Sequence, residues 1–196
     1  MSVDHETIAV YDTRSHDYAQ RRTGRAAEPG LAEFVAVLPE GAHLLDLGCG
    51  PGDSAHRFMK VGHTVDAVDA CPGMVSRARE LGVPARLATF DEIEGEDLYD
   101  GIWVSYALLH APREEMPGHL ARLVRALKPG GRFHIGMKLG QGEARDALGR
   151  LYVYYTEDEL LGLLKAAGLT PVARETSRDV GLDGTDYHGI WIQARG

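Results

Sequence analysis

The stretch that most constrains this chain is LLDLGCGPGDSAHRF, Leu44 to Phe58. An apolar run stops at an acid, Asp46, and glycines then arrive at alternate positions, Gly48, Gly50 and Gly52, ahead of a helix-forming segment. Glycine tolerates positive φ and carries no Cβ, so this spacing predicts a tight strand-to-helix turn whose backbone is open to a close neighbour. A strand ending near Asp46 and a helix beginning near Gly52 place the turn at the carboxyl end of a strand. That is where ligands sit in open α/β sheets, facing the free N–H groups of the helix.

The pattern around the turn extends this unit. Leu31, Phe34, Val35 and Leu38 fall at i, i+3, i+4 and i+7, predicting a helix from about Ala27 to Leu38. Beyond it, short apolar runs alternate with helical stretches: HLLDL, HTVDAVD, ARLAT and YDGIWVSY are strands, and PGMVSRARELG and PREEMPGHLARLVRALK are helices. Such alternation means a parallel sheet with helices on both faces. Pro129, Gly130 and Gly131 turn into a fifth strand, RFHIGMKL. Thr156 with Glu159 forms a capping box for a helix that stops at Gly168, and TPVARETSRDV with YHGIWIQA reads as a terminal hairpin.

The same loop restricts the ligand. No Lys-Ser or Lys-Thr pair follows the glycines, which excludes a P-loop, and Asp53 occupies the position of the third dinucleotide glycine. A carboxylate there opposes a pyrophosphate, whereas acids at Asp46 and Asp53 suit a ligand with positive charge. At 196 residues the chain is sized for one domain, and its net charge of −8 disfavours a polyphosphate-binding surface. Arg14, Arg21, Arg22 and Arg25 are the local exception, read as a solvated helix face. No apolar run approaches the roughly 20 residues of a membrane span, and the N-terminus lacks a signal-like pattern, which places the protein in the cytoplasm. Cys49 and Cys71 lack metal or disulfide spacing, predicting free thiols and no metal site.

The run Leu44-Leu-Asp-Leu-Gly-Cys-Gly-Pro-Gly52 closely resembles the first motif of the class I S-adenosylmethionine-dependent methyltransferases, and the order of elements agrees from about Ala27 to the last strand. The resemblance implies a doubly wound, mostly parallel seven-stranded sheet with an antiparallel last strand, in a three-layer sandwich. It implies one domain over residues 1–196, with residues 1–26 as a cofactor and substrate cover and 138–155 as a substrate-pocket insertion. S-adenosyl-L-methionine is the implied cofactor, leaving as S-adenosyl-L-homocysteine, and Asp46, Gly48, Gly50 and Gly52 contact it. Asp69, at the end of the second strand, takes the ribose hydroxyls, with Ala70 beside it and Met74 against the adenine. Asp91 matches the acid that contacts the adenine amino group, with Phe90 as a ring neighbour, and Ser105 lies along the cofactor.

Past the fourth strand the chain lacks both the Asn/Asp-Pro-Pro-aromatic tetrapeptide of amino-methylating enzymes and the Pro-Cys pair of RNA cytosine C5 enzymes. A small-molecule acceptor is therefore expected. Methyl transfer from a sulfonium is an in-line displacement in which alignment supplies much of the rate, and a base is needed only for a protonated acceptor. His110, with Tyr18 nearby, is the candidate catalytic group, and Tyr11, Arg145, Tyr152, Tyr155 and His188 are candidate acceptor contacts. Other readings stay open: a tRNA or protein acceptor, which the net charge disfavours, a non-catalytic module that binds the cofactor, and a nicotinamide dehydrogenase. These motifs specify neither the acceptor, nor the methylated atom, nor the oligomeric state.

Overall fold

The computed structural model describes residues 3–22 and 28–196, with the backbone alone at 21 and 22. Seven strands form one sheet in the order β3-β2-β1-β4-β5-β9-β8. They are β1 (His43–Leu47), β2 (Thr64–Asp69), β3 (Arg86–Leu87), β4 (Tyr99–Ser105), β5 (Leu127–Lys138), β8 (Thr170–Val180) and β9 (Asp186–Arg195). β1 pairs in parallel with β2 and β4, and β4 with β5, whereas β9 is antiparallel to both β5 and β8. β9 is thus the reversed strand, as the terminal hairpin required.

Side chains alternate across the sheet. On one face Leu44 and Trp103 pack with Phe34 and Phe58, under α3 (Leu31–Ala36), α4 (Asp53–Lys60) and α5 (Pro72–Glu80). On the other, Leu45, Ile102, Val104 and Ile135 pack with Leu120 and Leu164 of α6 (Met116–Ala126) and α7 (Glu157–Ala166). These two cores make the three layers. The capping box of α7 is formed: the Glu159 N–H donates to Thr156 Oγ1 at 3.2 Å, and the Thr156 N–H donates to Glu159 Oε2 at 2.7 Å.

Three elements differ from the sequence pattern. α3 starts at Leu31, because Pro29 and Gly30 turn the chain and Gly30 takes φ of 79° as the helix N-cap. β5 begins at Leu127, where it pairs with Tyr99 ahead of an irregularity in register. The N-terminal segment forms two helices, α1 (His5–Thr13) and α2 (Ser15–Arg22), broken at Arg14. Of the basic cluster, Arg14 is exposed, while Arg25 and the side chains of Arg21 and Arg22 lie outside the described residues.

The stretch after β5 folds into a small ladder, β6 (Glu143–Arg145) with β7 (Leu151–Val153). α1 is tied to that ladder: the Leu151 N–H donates to Thr7 Oγ1 at 2.8 Å, and Arg145 pairs with Asp4 at 2.7 Å. It is also tied to α5, whose Gly73 N–H donates to Asp12 Oδ1 at 2.7 Å. Both attachments hold α1 across the carboxyl ends of the strands.

Candidate functional site

Strand order reverses between β1 and β4, and a cavity opens above their carboxyl ends, the position expected for a ligand in such sheets. The glycines of the first loop serve three purposes there. All are left-handed, with φ of 71°, 54° and 92° at Gly48, Gly50 and Gly52. A Cβ on Gly48 would sit 2.3 Å from Ala107 Cβ, and one on Gly52 would sit 3.0 Å from Ala78 Cβ, so these two let the loop pack against its neighbours. A Cβ on Gly50 would meet only the Tyr18 ring, at 3.9 Å, and would otherwise fill the cavity. Gly50 is the glycine that leaves room for a ligand.

Asp69 lines the same cavity. Its Oδ2 accepts from the Gly50 N–H at 2.8 Å and its Oδ1 from the Cys71 N–H at 2.9 Å. Both oxygens are thereby fixed in direction and keep lone pairs for a ligand's hydroxyls. Burial pushes the carboxyl pKa up, while these N–H donors pull it back. Met74, which is buried, and Phe90 form an apolar wall beyond Asp69, suited to a flat ring. Tyr11 and Tyr18, from α1 and α2, close the cavity from above with their rings 5.8 Å apart and perpendicular.

A second chamber adjoins the first. Tyr11, Tyr18, Ser105, Tyr106 and His110 line both, so they form a shared wall. Tyr106 takes φ of 54°, an uncommon conformation for a bulky residue and one that is often found at functional sites. Its ring lies across two glycines: a Cβ on Gly136 would be 3.3 Å from the ring, and one on Gly189 only 2.4 Å from the hydroxyl. Those glycines in β5 and β9 clear the space the ring occupies.

A polar chain runs along the wall. Asp146 accepts from Arg150 Nε at 2.9 Å and Nη2 at 2.6 Å. Arg150 Nη1 donates to the Tyr11 hydroxyl at 2.9 Å, which lies 3.0 Å from His110 Nε2. His110 Nδ1 is 2.5 Å from the Leu151 carbonyl oxygen, so that nitrogen carries the proton and Nε2 accepts from Tyr11. Burial, with the positive charges of Arg150 and Lys138 nearby, pushes the His110 pKa down to about 4 despite the Leu151 contact. The imidazole is neutral at pH 7. Burial raises the pKa of Tyr11 and Tyr152, keeping both phenols protonated.

Of the residues expected from sequence, Gly48, Gly50, Asp69, Ala70, Met74, Phe90, Ser105, Tyr11, Tyr18 and His110 line the first cavity, and Tyr152 lines the second. Others stand apart. Asp46 is buried on β1 and Gly52 packs on α5, and neither of these two residues lines either of the two cavities. Asp91 turns outward, 3.6 Å from Arg122 and 3.7 Å from the buried His119, whose other nitrogen is 3.6 Å from Glu115. Arg145 is exposed and latches α1 through Asp4 and Glu6, which places Asp4 well below the ordinary carboxyl pKa. Tyr155 is buried beneath the Arg113 guanidinium, 4.2 Å from the ring centre. His188 is exposed, while its neighbour Tyr187 lines the second chamber. Lys138 opens the stretch 138–155 expected on the acceptor side and Tyr106 follows the expected Ser105, whereas Tyr187 carries no signal in the sequence. Cys49 and Cys71 are buried and free, and burial raises the Cys71 thiol to about 12.

The comparisons with known proteins agree with this geometry. Residues 44–131 match the family model described as a methyltransferase domain. The chain superposes with a TM-score of 0.75 on 1,6-didemethyltoxoflavin-N1-methyltransferase of Burkholderia thailandensis, crystallised with 1,6-didemethyltoxoflavin and S-adenosylhomocysteine. The two share 31% identity over 100% of this chain and 91% of that one. The chain belongs to the S-adenosylmethionine-dependent methyltransferases. Among curated members of that family, trans-aconitate 2-methyltransferase of Delftia acidovorans is 31% identical over 136 residues, 65% of this chain and 48% of that protein. A ubiquinone biosynthesis O-methyltransferase of Xanthomonas axonopodis pv. citri is 29% identical over 120 residues, 56% of this chain and 49% of that protein. This methyltransferase chain thus spans about half the length of the curated relatives it matches. No helix among its described residues is long and apolar enough to cross a membrane.

Proposed function

We propose that this protein transfers the methyl group of S-adenosyl-L-methionine to a small molecule held in the second chamber. The observation that carries the reading is the shared wall: two cavities at the carboxyl edge of the sheet, separated only by Tyr11, Tyr18, Ser105, Tyr106 and His110. Asp69 would hold the ribose of the cofactor and Met74 with Phe90 would flank its adenine, and the cofactor would supply an electrophilic methyl group. The relatives named above, a trans-aconitate 2-methyltransferase and one seen with bound 1,6-didemethyltoxoflavin, support a small acceptor. The net charge of −8 supports it further against RNA.

In this reading a lone pair of the acceptor attacks the methyl carbon as the carbon–sulfur bond breaks, and its electron pair neutralises the sulfonium. The protein's contribution is alignment and the exclusion of water. His110 acts as a positioning residue: its Nε2 is occupied by Tyr11 and its low pKa makes it a weak base at neutral pH. Residues 1–196 act as one methyltransferase domain, with α1 and α2 as the cover and residues 138–155 as the acceptor-side insertion. The two buried free thiols support a cytoplasmic location.

The test is to incubate the protein with S-adenosylmethionine carrying a labelled methyl group and a small-molecule extract. Label in small molecules supports the reading. Label confined to RNA or protein, or none transferred by a protein that binds the cofactor, rejects it.

A further inference from the structure

Lys138 ends β5 at the carboxyl edge of the sheet and lines the second chamber, yet the residue is only 7% exposed. Its Nζ lies 3.9 Å from the ring centre of Tyr152 and 4.3 Å from that of Tyr187. Among the described residues it forms no ion pair. The chamber's other cation, Arg150, is neutralised by two contacts to Asp146, and Asp146 is further occupied by the Leu148 and Arg150 N–H groups. Asp183 accepts from Thr185 and acts on Lys138 through charge alone, at more than ion-pair distance. Burying an ammonium without a direct ionic partner is costly, and contacts with two ring faces and the more distant charges of Asp183 and Asp146 offset only part of that cost. Lys138 thus faces the chamber with no direct ionic partner among the described residues. Its surroundings say what shape the counter-charge has: the rings of Tyr106, Tyr152 and Tyr187 give the chamber flat aromatic walls.

We propose that Lys138 is the anchor for a planar, anionic acceptor, whose carboxylate or ring-borne oxyanion pairs with Nζ while the tyrosine rings flank its plane. This rests on the methyltransferase reading and names the substrate class for it.

The experiment uses the full chain saturated with S-adenosylhomocysteine. Calorimetry then measures binding of planar aromatic carboxylates, each beside its neutral amide, and of ring oxyanions such as 4-nitrophenolate, each beside its neutral methyl ether. At least one anion should bind tenfold or more tightly than its neutral partner. Lys138→Met should abolish that preference, Lys138→Arg should keep part of it, and neither should change S-adenosylhomocysteine affinity. Preference among carboxylates alone or among oxyanions alone identifies the anion's source. Lys138→Met should also raise the melting temperature of the ligand-free protein, since an unpaired buried charge is removed. No preference in any pair, a preference that survives Lys138→Met, or a fall in melting temperature marking a structural lysine would overturn the proposal. Failure of the unmodified protein to bind S-adenosylhomocysteine would instead reject the cofactor reading.

Discussion

At the scale of single residues, the three loop glycines separate folding from binding. Gly50→Ala places a methyl group in the cofactor cavity at a left-handed position, a strain of about 1–2 kcal/mol. Its expected signature is a tenfold or greater loss of S-adenosylhomocysteine affinity, by calorimetry, in a protein that still folds. Gly52→Ala meets the α5 backbone, with Ala78 Cα at 3.1 Å, and should lower the melting temperature more than Gly50→Ala does. The reverse ranking would mean that the roles are misassigned. His110 makes a second prediction: its imidazole should titrate by NMR with a midpoint near 4, and a midpoint near 6.5 would contradict the half-buried, Tyr11-bonded geometry. The glycine spacing and Asp69 were legible in the sequence because backbone conformation and strand-end position are local properties. The stretch from Lys138 was legible as acceptor-side chain because it follows a strand at the carboxyl edge, but which of its side chains lacks a direct ionic partner was not. His188 and Tyr187 exchanged roles because neighbouring strand residues face opposite sides, and the face is fixed only by pairing with β8 and β5.

At the scale of elements, α1 couples the two cavities. Thr7 is buried, and its hydroxyl oxygen is the acceptor for the Leu151 N–H of β7. Thr7→Val keeps the shape and removes that acceptor, stranding a buried donor at a cost of about 1–3 kcal/mol. Hydrogen exchange at Leu151 should accelerate and S-adenosylhomocysteine should dissociate faster, because the cover that bears Tyr11 loosens. Unchanged exchange and dissociation would show that α1 is held in place by other contacts. Arg145, expected to touch the acceptor, instead pairs with Asp4 and Glu6 of this segment, so Arg145→Ala should act as Thr7→Val does, speeding S-adenosylhomocysteine dissociation by loosening the cover. A latch between segments some 140 residues apart in the chain leaves no local trace in sequence. The alternation of strands and helices does leave one, and the parallel sheet with helices on both faces followed from it.

At the scale of the whole molecule, buried histidines set the response to acid. The folded-state pKa values of His110 and His134 are pushed by burial to about 4 and about 3, below the ordinary value near 6.5. As pH falls through 6.5 the unfolded chain takes up these protons first. Stability from the neutral imidazoles is complete above that pH and is lost below it, at up to about 1.4 kcal/mol per pH unit for each histidine. Asp69, raised by burial, works in the opposite sense but is a single group. The melting temperature should therefore fall steadily from pH 6.5 to 4.5, and a constant value would contradict this assignment.

The central claim is that Asp69 receives the cofactor at the reversal point of the sheet, on the near side of the wall shared with the second chamber. Calorimetric titration of S-adenosylhomocysteine into the unmodified protein and into Asp69→Ala tests it most directly. The prediction is binding by the first and a loss of on the order of 1–3 kcal/mol in the second, the scale for hydrogen bonds to a charged group, with both proteins folded. Equal affinity in the two, or no binding to the unmodified protein, would contradict the account.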